Sequence, residues 1–135
     1  MTNEFISATY GTLRLGHGNY RWAYGSNNVE CIAQAVKLRG YKMRTHGGYP
    51  AIYETGEQED AVIVDVFDLS TSTVAAPEDI LSAVDSMEYG AGYTKRLVTL
   101  ENGEAAWVYV YEPQQAKQSM QDEIESGDWE VYCND

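Results

Sequence analysis

Tyr10-Gly11-Thr12-Leu13-Arg14 closes the first apolar segment of this chain, and the rest of the sequence is organised around it. The apolar residues at 5–8 predict a short strand that runs into Tyr10. The chain then enters a loop with two further glycines, Gly16 and Gly18. A glycine at the end of a strand permits a sharp turn and leaves backbone N–H groups free to contact a ligand. A Tyr-Gly-Thr triplet by itself is most often a plain turn, so its meaning depends on the rest of the chain.

The composition predicts one globular domain that spans residues 1–135. With 135 residues, of which 44% are hydrophobic, the chain is long enough to bury a core and is not typical of a disordered protein. Its net charge of −12 excludes nucleic-acid binding and anionic membranes, because both require a basic surface. The same charge does not identify an acidic function, since an ordinary self-repelling surface also produces it.

The compartment is expected to be the cytoplasm. The sequence has no apolar run of about 18 residues, and its N-terminus lacks the basic and apolar regions of a signal peptide. Cys31 and Cys133 agree with a compartment in which thiols stay reduced. Neither cysteine has a second cysteine two or three residues away, so the spacing predicts no zinc site and no other metal site.

Short apolar runs between glycine turns predict most of the chain to be strands. The run at 61–69 is the strongest and is typical of a central strand covered on both faces. Asn102-Gly103 predicts a hairpin, because this pair favours the tight turns that join neighbouring strands. The predicted strands after the first are at 41–43, 51–53, 61–69, 93–100 and 105–111.

One helix is well defined by the sequence. Pro77 suits a first helical position, the acidic residues 78 and 79 suit the positive end of the helix dipole, and an apolar stripe continues to Met87. Segment 29–38 fits a strand and a helix equally well, and residues 120–124 carry a weak helical pattern. We therefore expect an α+β fold with a mixed sheet or a small barrel and one or two helices.

Histidine chemistry has little support in this sequence. His17 lies in the glycine loop and His46 precedes a turn, and both positions are typical of surface residues. The patterns of zinc proteases, phosphate-binding loops and serine hydrolases do not occur.

Glu88 is the carboxylate whose position suggests a function. It lies at the end of the predicted helix, three residues after Asp85 and beside a glycine- and tyrosine-rich loop at 89–93. A carboxylate enclosed by aromatic rings loses solvation, which raises its pKa toward the range useful for proton transfer. The alternative is a surface or capping glutamate, which is the more common role for such a residue.

Taken together, these segments resemble the γ-glutamylcyclotransferase-like family, in particular its AIG2-like and γ-glutamylamine cyclotransferase branch. The likeness covers nearly the whole chain, and the matching blocks occur in the family's order. They are the YGTLR loop at 10–14 with Gly16 and Asn19, Gly40-Tyr41 with the Gly-Gly-Tyr-Pro turn at 47–50, Asp85 to Glu88 with Tyr93, the strand at 104–111, and Ser126-Gly127-Asp128-Trp129.

The resemblance implies a small mixed β-barrel and a cofactor-independent enzyme that converts a small γ-glutamyl amine or γ-glutamyl amino acid to 5-oxoproline and a free amine. In this reaction the substrate's own α-amine attacks its γ-carbonyl, so the protein need not supply a nucleophile. The resemblance assigns acid–base catalysis to Glu88 and substrate binding to Tyr10, Gly11, Thr12 and Leu13. It places Tyr93 on the pocket wall, where plain packing is the alternative role.

Two departures from the family pattern affect this interpretation. The family places an arginine two residues after the tyrosine, whereas here Lys95 holds that position, which puts a structural salt bridge in doubt. Residues 24–27 form a second, YGSN-like loop, but only the first loop has the spacing that reaches Asn19. The alternatives to an enzyme are a non-catalytic module that binds a small ligand or a protein on the same fold, and an acidic protein that blocks a basic partner.

Overall fold

Strand β1 (Ile6–Thr9), which runs into the YGTLR loop, lies at the centre of a five-stranded sheet in the computed structural model. The model describes residues 4–134 of the chain. Residues 1–3 and 135 of the predicted domain lie outside the described residues. The remaining elements are β2 (Glu30–Arg39), β3 (Tyr41–Thr45), β4 (Pro50–Glu54), β5 (Ala61–Asp68), α1 (Pro77–Gly90), β6 (Thr94–Thr99), β7 (Ala105–Val110), α2 (Pro113–Ser119), β8 (Asp122–Ile124) and α3 (Trp129–Asn134).

The strands form two sheets. The larger has the order β2-β5-β1-β7-β6, in which only the β1–β7 pair is parallel, and the smaller has the order β4-β3-β8. The Tyr111 N–H donates to the Ile52 carbonyl at 2.9 Å and joins the two sheets near the end of β7. The predicted α+β class is confirmed, and the sheets together approximate a barrel. Among residues 4–134, however, the strand pairing does not close into a complete ring.

The two elements with the clearest sequence patterns form as predicted. In β5, the side chains of Val62, Val64, Val66 and Phe67 are fully buried, as expected for a strand with both faces covered. Helix α1 begins at Pro77 and ends at Gly90, and it turns its apolar stripe toward the core. Glu88 lies in the last turn of this helix.

The ambiguous segment 29–38 forms a strand, β2. Its pairing with β5 is shifted at two places, and Ala35 takes a left-handed backbone conformation (φ 57°) while its N–H donates to Asp65 Oδ1 at 3.0 Å. Such bulges add residues out of register and break the two-residue alternation of side chains. This irregular pairing explains why the sequence pattern could not separate strand from helix.

The weak helical prediction at 120–124 is wrong. The helix lies earlier, at Pro113–Ser119, where Glu112 and Gln115 form a reciprocal capping box and Pro113 takes the first helical position. Residues Asp122–Ile124 instead form β8, in which Ile124 pairs with Met43 of β3. Helices α2 and α3 are short, with 7 and 6 residues, and they bring the α-helices among residues 4–134 to three, where one or two were expected.

Over the described range 4–134, no helix has both the length and the apolar character needed to span a membrane.

Candidate active site

A cavity of about 270 Å³ lies where the loop after β1, the turn before β4, the end of α1 and strand β7 meet. All six residues that the sequence analysis selected lie on its wall: Tyr10, Gly11, Thr12, Leu13, Glu88 and Tyr93. The structure therefore brings together two stretches that are about 75 residues apart in the sequence. The wall also includes residues to which the sequence analysis assigned no role in the site: Ala8, Thr9, Asn19, Gly48, Tyr49, Pro50, Met87, Ala91 and Tyr109.

Asn19 holds the YGTLR loop in shape. Its backbone N–H donates to the Thr12 carbonyl at 2.7 Å, and its side-chain amide donates to Thr12 Oγ1 at 2.8 Å. The Trp22 indole N–H in turn donates to Asn19 Oδ1 at 3.1 Å. The Arg-x-Gly-x-x-Asn spacing identified this residue, although its role as a clamp on Thr12 emerges only from the fold.

The loop presents unused backbone donors. Among residues 4–134, no hydrogen bond is donated by the backbone N–H groups of Gly11, Thr12 or Leu13. Adjacent free N–H groups on a cavity wall are suited to binding a carboxylate or a polarised carbonyl oxygen.

Arg14 anchors the far end of the loop in the protein interior. Its guanidinium Nε donates to Asp65 Oδ2 at 3.2 Å and its Nη1 to Asp128 Oδ1 at 2.7 Å, while only 3% of the side chain is exposed. Asp65 also accepts the backbone N–H of Leu15 at 3.1 Å. Arg14 and Asp128 belong to two of the sequence blocks that resemble the family. These bonds give both residues a structural role outside the cavity.

Gly11 is required by close packing against the turn before β4. A Cβ atom added at this position would lie 2.8 Å from Cγ and 3.0 Å from Cδ of Pro50. The first distance is shorter than real Cβ contacts and the second is at their lower limit, so a larger residue would push apart two walls of the cavity.

Tyr10 and Tyr93 line the cavity, but both hydroxyls are engaged in the fold. The Tyr10 hydroxyl donates to the Tyr109 carbonyl at 2.8 Å and accepts the Ile52 N–H at 3.4 Å, which bridges the two sheets. The Tyr93 hydroxyl donates to the Pro50 carbonyl, and its ring lies 4.6 Å from that of Tyr111. These contacts favour a positioning role for the two side chains, with ring surface exposed to the cavity.

Glu88 is the only charged side chain among the residues of the cavity wall. It is half-buried, and its carboxylate has no hydrogen-bond or ion-pair partner among residues 4–134. Burial and, to a smaller extent, the negative charge of Asp85 raise the pKa of Glu88 to about 7. At neutral pH such a group is divided between its acid and base forms and can accept or donate a proton.

Asp85 is held quite differently from Glu88. It accepts a hydrogen bond from the Tyr109 hydroxyl, and Lys95 Nζ lies 3.2 Å from its Oδ1. A salt bridge is therefore formed although Lys95 replaces the arginine that the family places at this position.

The other candidate groups contribute no residue to the cavity wall. Neither His17 nor His46 lines it, and the exposed His46 packs its ring edge on Tyr49. The second, YGSN-like segment at 24–27 overlaps the end of a short π-helical turn (Arg21–Gly25) and contributes no residue to the cavity wall. Within residues 4–134, no three His, Cys, Asp or Glu side chains are grouped to hold a metal ion.

Solved structures with a similar fold come from bacteria, archaea and yeast. The uncharacterized protein PH0828 of Pyrococcus horikoshii has a TM-score of 0.70 at 19% identity, covering 96% of this chain and 93% of that one. The uropathogenic E. coli-specific protein c4763 has a TM-score of 0.75 at 18% identity, covering 96% and 95%. Allophanate hydrolase of Kluyveromyces lactis has a TM-score of 0.75 at 18% identity, covering 98% of this chain but 21% of that one. These matches show the fold alone.

The family assignment comes from the sequence. No curated protein matches the chain. Residues 8–131 match the family model described as gamma-glutamyl cyclotransferase, AIG2-like, and this range includes every residue of the cavity wall. The chain therefore belongs to the AIG2-like γ-glutamyl cyclotransferase family.

Proposed function

We propose that this protein, acting as a single domain, converts a small γ-glutamyl amine or γ-glutamyl amino acid to 5-oxoproline and a free amine. The observation that carries the proposal is the position of Glu88, whose carboxylate has a raised pKa and no partner among residues 4–134. It shares one cavity with the residues of the YGTLR loop whose N–H groups donate no hydrogen bond within the same range. Membership of the family supports the same type of reaction.

The reaction is a ring closure within the substrate. The α-amine attacks the γ-carbonyl carbon, a C–N bond forms in the five-membered lactam, and the bond to the departing amine breaks. Holding the substrate folded toward this geometry can supply up to roughly 7–11 kcal/mol of the barrier in ideal intramolecular cases. A cavity of about 270 Å³ is suited to enforcing such a substrate conformation.

Glu88 is proposed to move the protons. The α-ammonium group must lose two protons to become the lactam N–H, and the amide nitrogen must gain two to leave as an ammonium group. The reaction thus balances without net release of protons, and one carboxyl group can carry them in turn. A pKa of about 7 suits this double role, because neither the acid nor the base form is strongly disfavoured near neutral pH.

The YGTLR loop is proposed to bind the oxygens of the substrate. The N–H groups of Gly11 to Leu13 are suited to an α-carboxylate or to the oxyanion that forms at the γ-carbon. They carry no titratable proton, so they stabilise charge without competing with Glu88. We place the reaction in the cytoplasm, which agrees with two free cysteines, Cys31 and Cys133.

The test is release of 5-oxoproline from a panel of γ-glutamyl amines and γ-glutamyl amino acids. Glu88→Gln is expected to lower kcat/KM by at least about 100-fold, the range attributed to a general acid–base group. Glu78→Gln, the same change on the exposed first turn of α1, is the matched control and should retain activity. If wild type and Glu88→Gln process the whole panel equally, including not at all, the assignment fails. Binding of the panel by calorimetry without turnover would then favour a non-catalytic module.

A further inference from the structure

A cluster of three side chains lies beside Glu88 but does not contain it. Lys95 of β6 approaches Asp85 of α1 at 3.2 Å, and Tyr109 of β7 donates its hydroxyl to the same carboxylate oxygen. Lys95 Nζ also lies 5.6 Å from the centre of the Trp107 ring and 5.8 Å from that of Tyr109. The ammonium group is therefore held by one carboxylate from α1 and two aromatic rings from β7.

The cluster is buried enough for its charges to interact more strongly than exposed charges do. The Lys95 side chain is 16% exposed and that of Asp85 is 23% exposed, whereas the other lysine pair, Lys42–Glu123, is 41% and 35% exposed. Exposed pairs are screened by water and contribute little, but partly buried charges act on one another more strongly.

Asp85 is the charged neighbour of Glu88. The two residues are three positions apart on α1, which places them on adjacent turns of one helix face. The other titratable groups whose charge would couple to Glu88 are tyrosines, and burial raises the pKa of each of them, so they stay neutral near pH 7. They are Tyr10 from the loop after β1, Tyr24 from the π-helical turn, Tyr93 before β6, Tyr109 in β7 and Tyr111 directly after it.

We propose that Lys95 is a positioning residue for the reaction, whose positive charge offsets, at Glu88, the negative charge of Asp85 one helical turn away. This inference rests on the proposed function for its catalytic meaning. Without Lys95, the uncompensated Asp85 carboxylate would favour the protonated form of Glu88, and the base would be available only at higher pH. Without Asp85, Glu88 would ionise at lower pH. The two substitutions therefore act in opposite directions, which a merely structural salt bridge would not produce.

The test measures the titration of Glu88 directly, in full-length protein labelled with ¹³C at glutamate side-chain carboxyl carbons. The Glu88 signal is assigned by its loss in Glu88→Gln. Lys95→Met is expected to raise the midpoint by about half to one pH unit, and Asp85→Asn to lower it by a similar amount, as expected for one unit charge at this separation and partial burial. The acidic limb of the kcat/KM profile should move with the NMR midpoint.

Three variants serve as controls. Lys95→Arg keeps the charge and should leave the midpoint within about 0.3 pH units, a small fraction of one charge's effect. Arg96→Met removes the adjacent charge on β6, which pairs with Glu54 at 2.9 Å instead, and should also leave it unchanged. The double variant Lys95→Met, Asp85→Asn should titrate close to wild type, because the two charges that it removes act on Glu88 in opposite directions.

Equal midpoints, or shifts of the same sign, in Lys95→Met and Asp85→Asn would overturn the inference. The NMR titration requires no turnover, so this result is separable from failure of the proposed reaction. If the midpoints move as expected while no substrate reacts, the electrostatic coupling holds and the proposed function fails. If a variant does not fold, its missing dispersed spectrum identifies it, and Lys95→Gln replaces Lys95→Met.

Discussion

Arg14 and Asp128, which are 114 residues apart in the sequence, meet with Nη1 2.7 Å from Oδ1. The same guanidinium binds Asp65 of β5, whose Oδ1 also accepts the N–H of Ala35 in β2. One side chain thus ties the end of the YGTLR loop to the central sheet and to the C-terminal segment. These bonds fix the end of the loop whose residues 10–13 line the cavity.

Removing this anchor should be costly. Arg14→Met leaves the Asp65 carboxylate, which is 1% exposed, without its cation, and we expect the free energy of unfolding to fall by about 3–5 kcal/mol. Urea denaturation followed by circular dichroism measures the change. Arg39→Met is the matched control: its pair with Glu101 is 40% and 46% exposed, so the loss should stay below about 1 kcal/mol. Equal losses in the two variants would contradict the anchoring role.

The sequence predicted the fold best where one local pattern determined the structure. The stripe on α1 and the apolar run of β5 were both sufficient, and the end of α1 correctly placed Glu88 beside the tyrosine-rich loop. Strand β8 could not be foreseen, because residues Asp122–Ile124 form a strand only through pairing with β3, about 80 positions earlier. Pairing with a strand that is distant in the sequence does not show in the local pattern of residues.

The candidate site shows the same division. Its six selected residues all lie on one cavity, but the sequence did not indicate that the Tyr10 and Tyr93 hydroxyls are used within the fold. Tyr49 and Pro50 lie in the Gly-Gly-Tyr-Pro turn that the resemblance included, yet their place on the cavity wall depends on the packing of Pro50 against Gly11. Lys95 keeps the salt bridge because β6 brings it to Asp85, which spacing alone cannot show.

Gly11→Ala should impair the site more than the fold. The added methyl group would lie 2.8 Å from Pro50 Cγ, so the loop and the turn must separate, at a cost of about 1–3 kcal/mol for overpacking. Displacement of reacting groups by about 1 Å can cost up to about 100-fold in rate, and we expect kcat/KM for 5-oxoproline release to fall at least about tenfold. Gly18→Ala, in the same loop but with no atom within 4 Å, is the control and should retain activity and stability. Equal effects of the two substitutions would contradict the packing argument.

The raised pKa of Glu88 also predicts a pH-dependent cost in stability. In the unfolded chain this carboxyl ionises near its ordinary value of 4.5, whereas in the folded protein it ionises near 7. As the pH rises through this window, the unfolded state releases a proton that the folded state retains, so the free energy of unfolding falls. The stability is fully present below about pH 4.5, and the loss is complete above about pH 7.

Glu88→Gln should therefore stabilise the protein at high pH while it abolishes the proposed catalysis. The glutamine amide has no titratable proton. The free energy of unfolding of Glu88→Gln relative to wild type is therefore expected to grow by about 2 kcal/mol between pH 5 and pH 8. This is somewhat less than the full pKa shift of Glu88 would give, because the side chain is only half-buried. Urea denaturation of both proteins at the two pH values measures this difference, in which the other titrating groups cancel. Glu59→Gln, at an exposed position in the loop before β5, should gain no such advantage. A pH-independent difference for Glu88→Gln would mean that the carboxyl ionises normally in the folded protein and is not tuned for proton transfer.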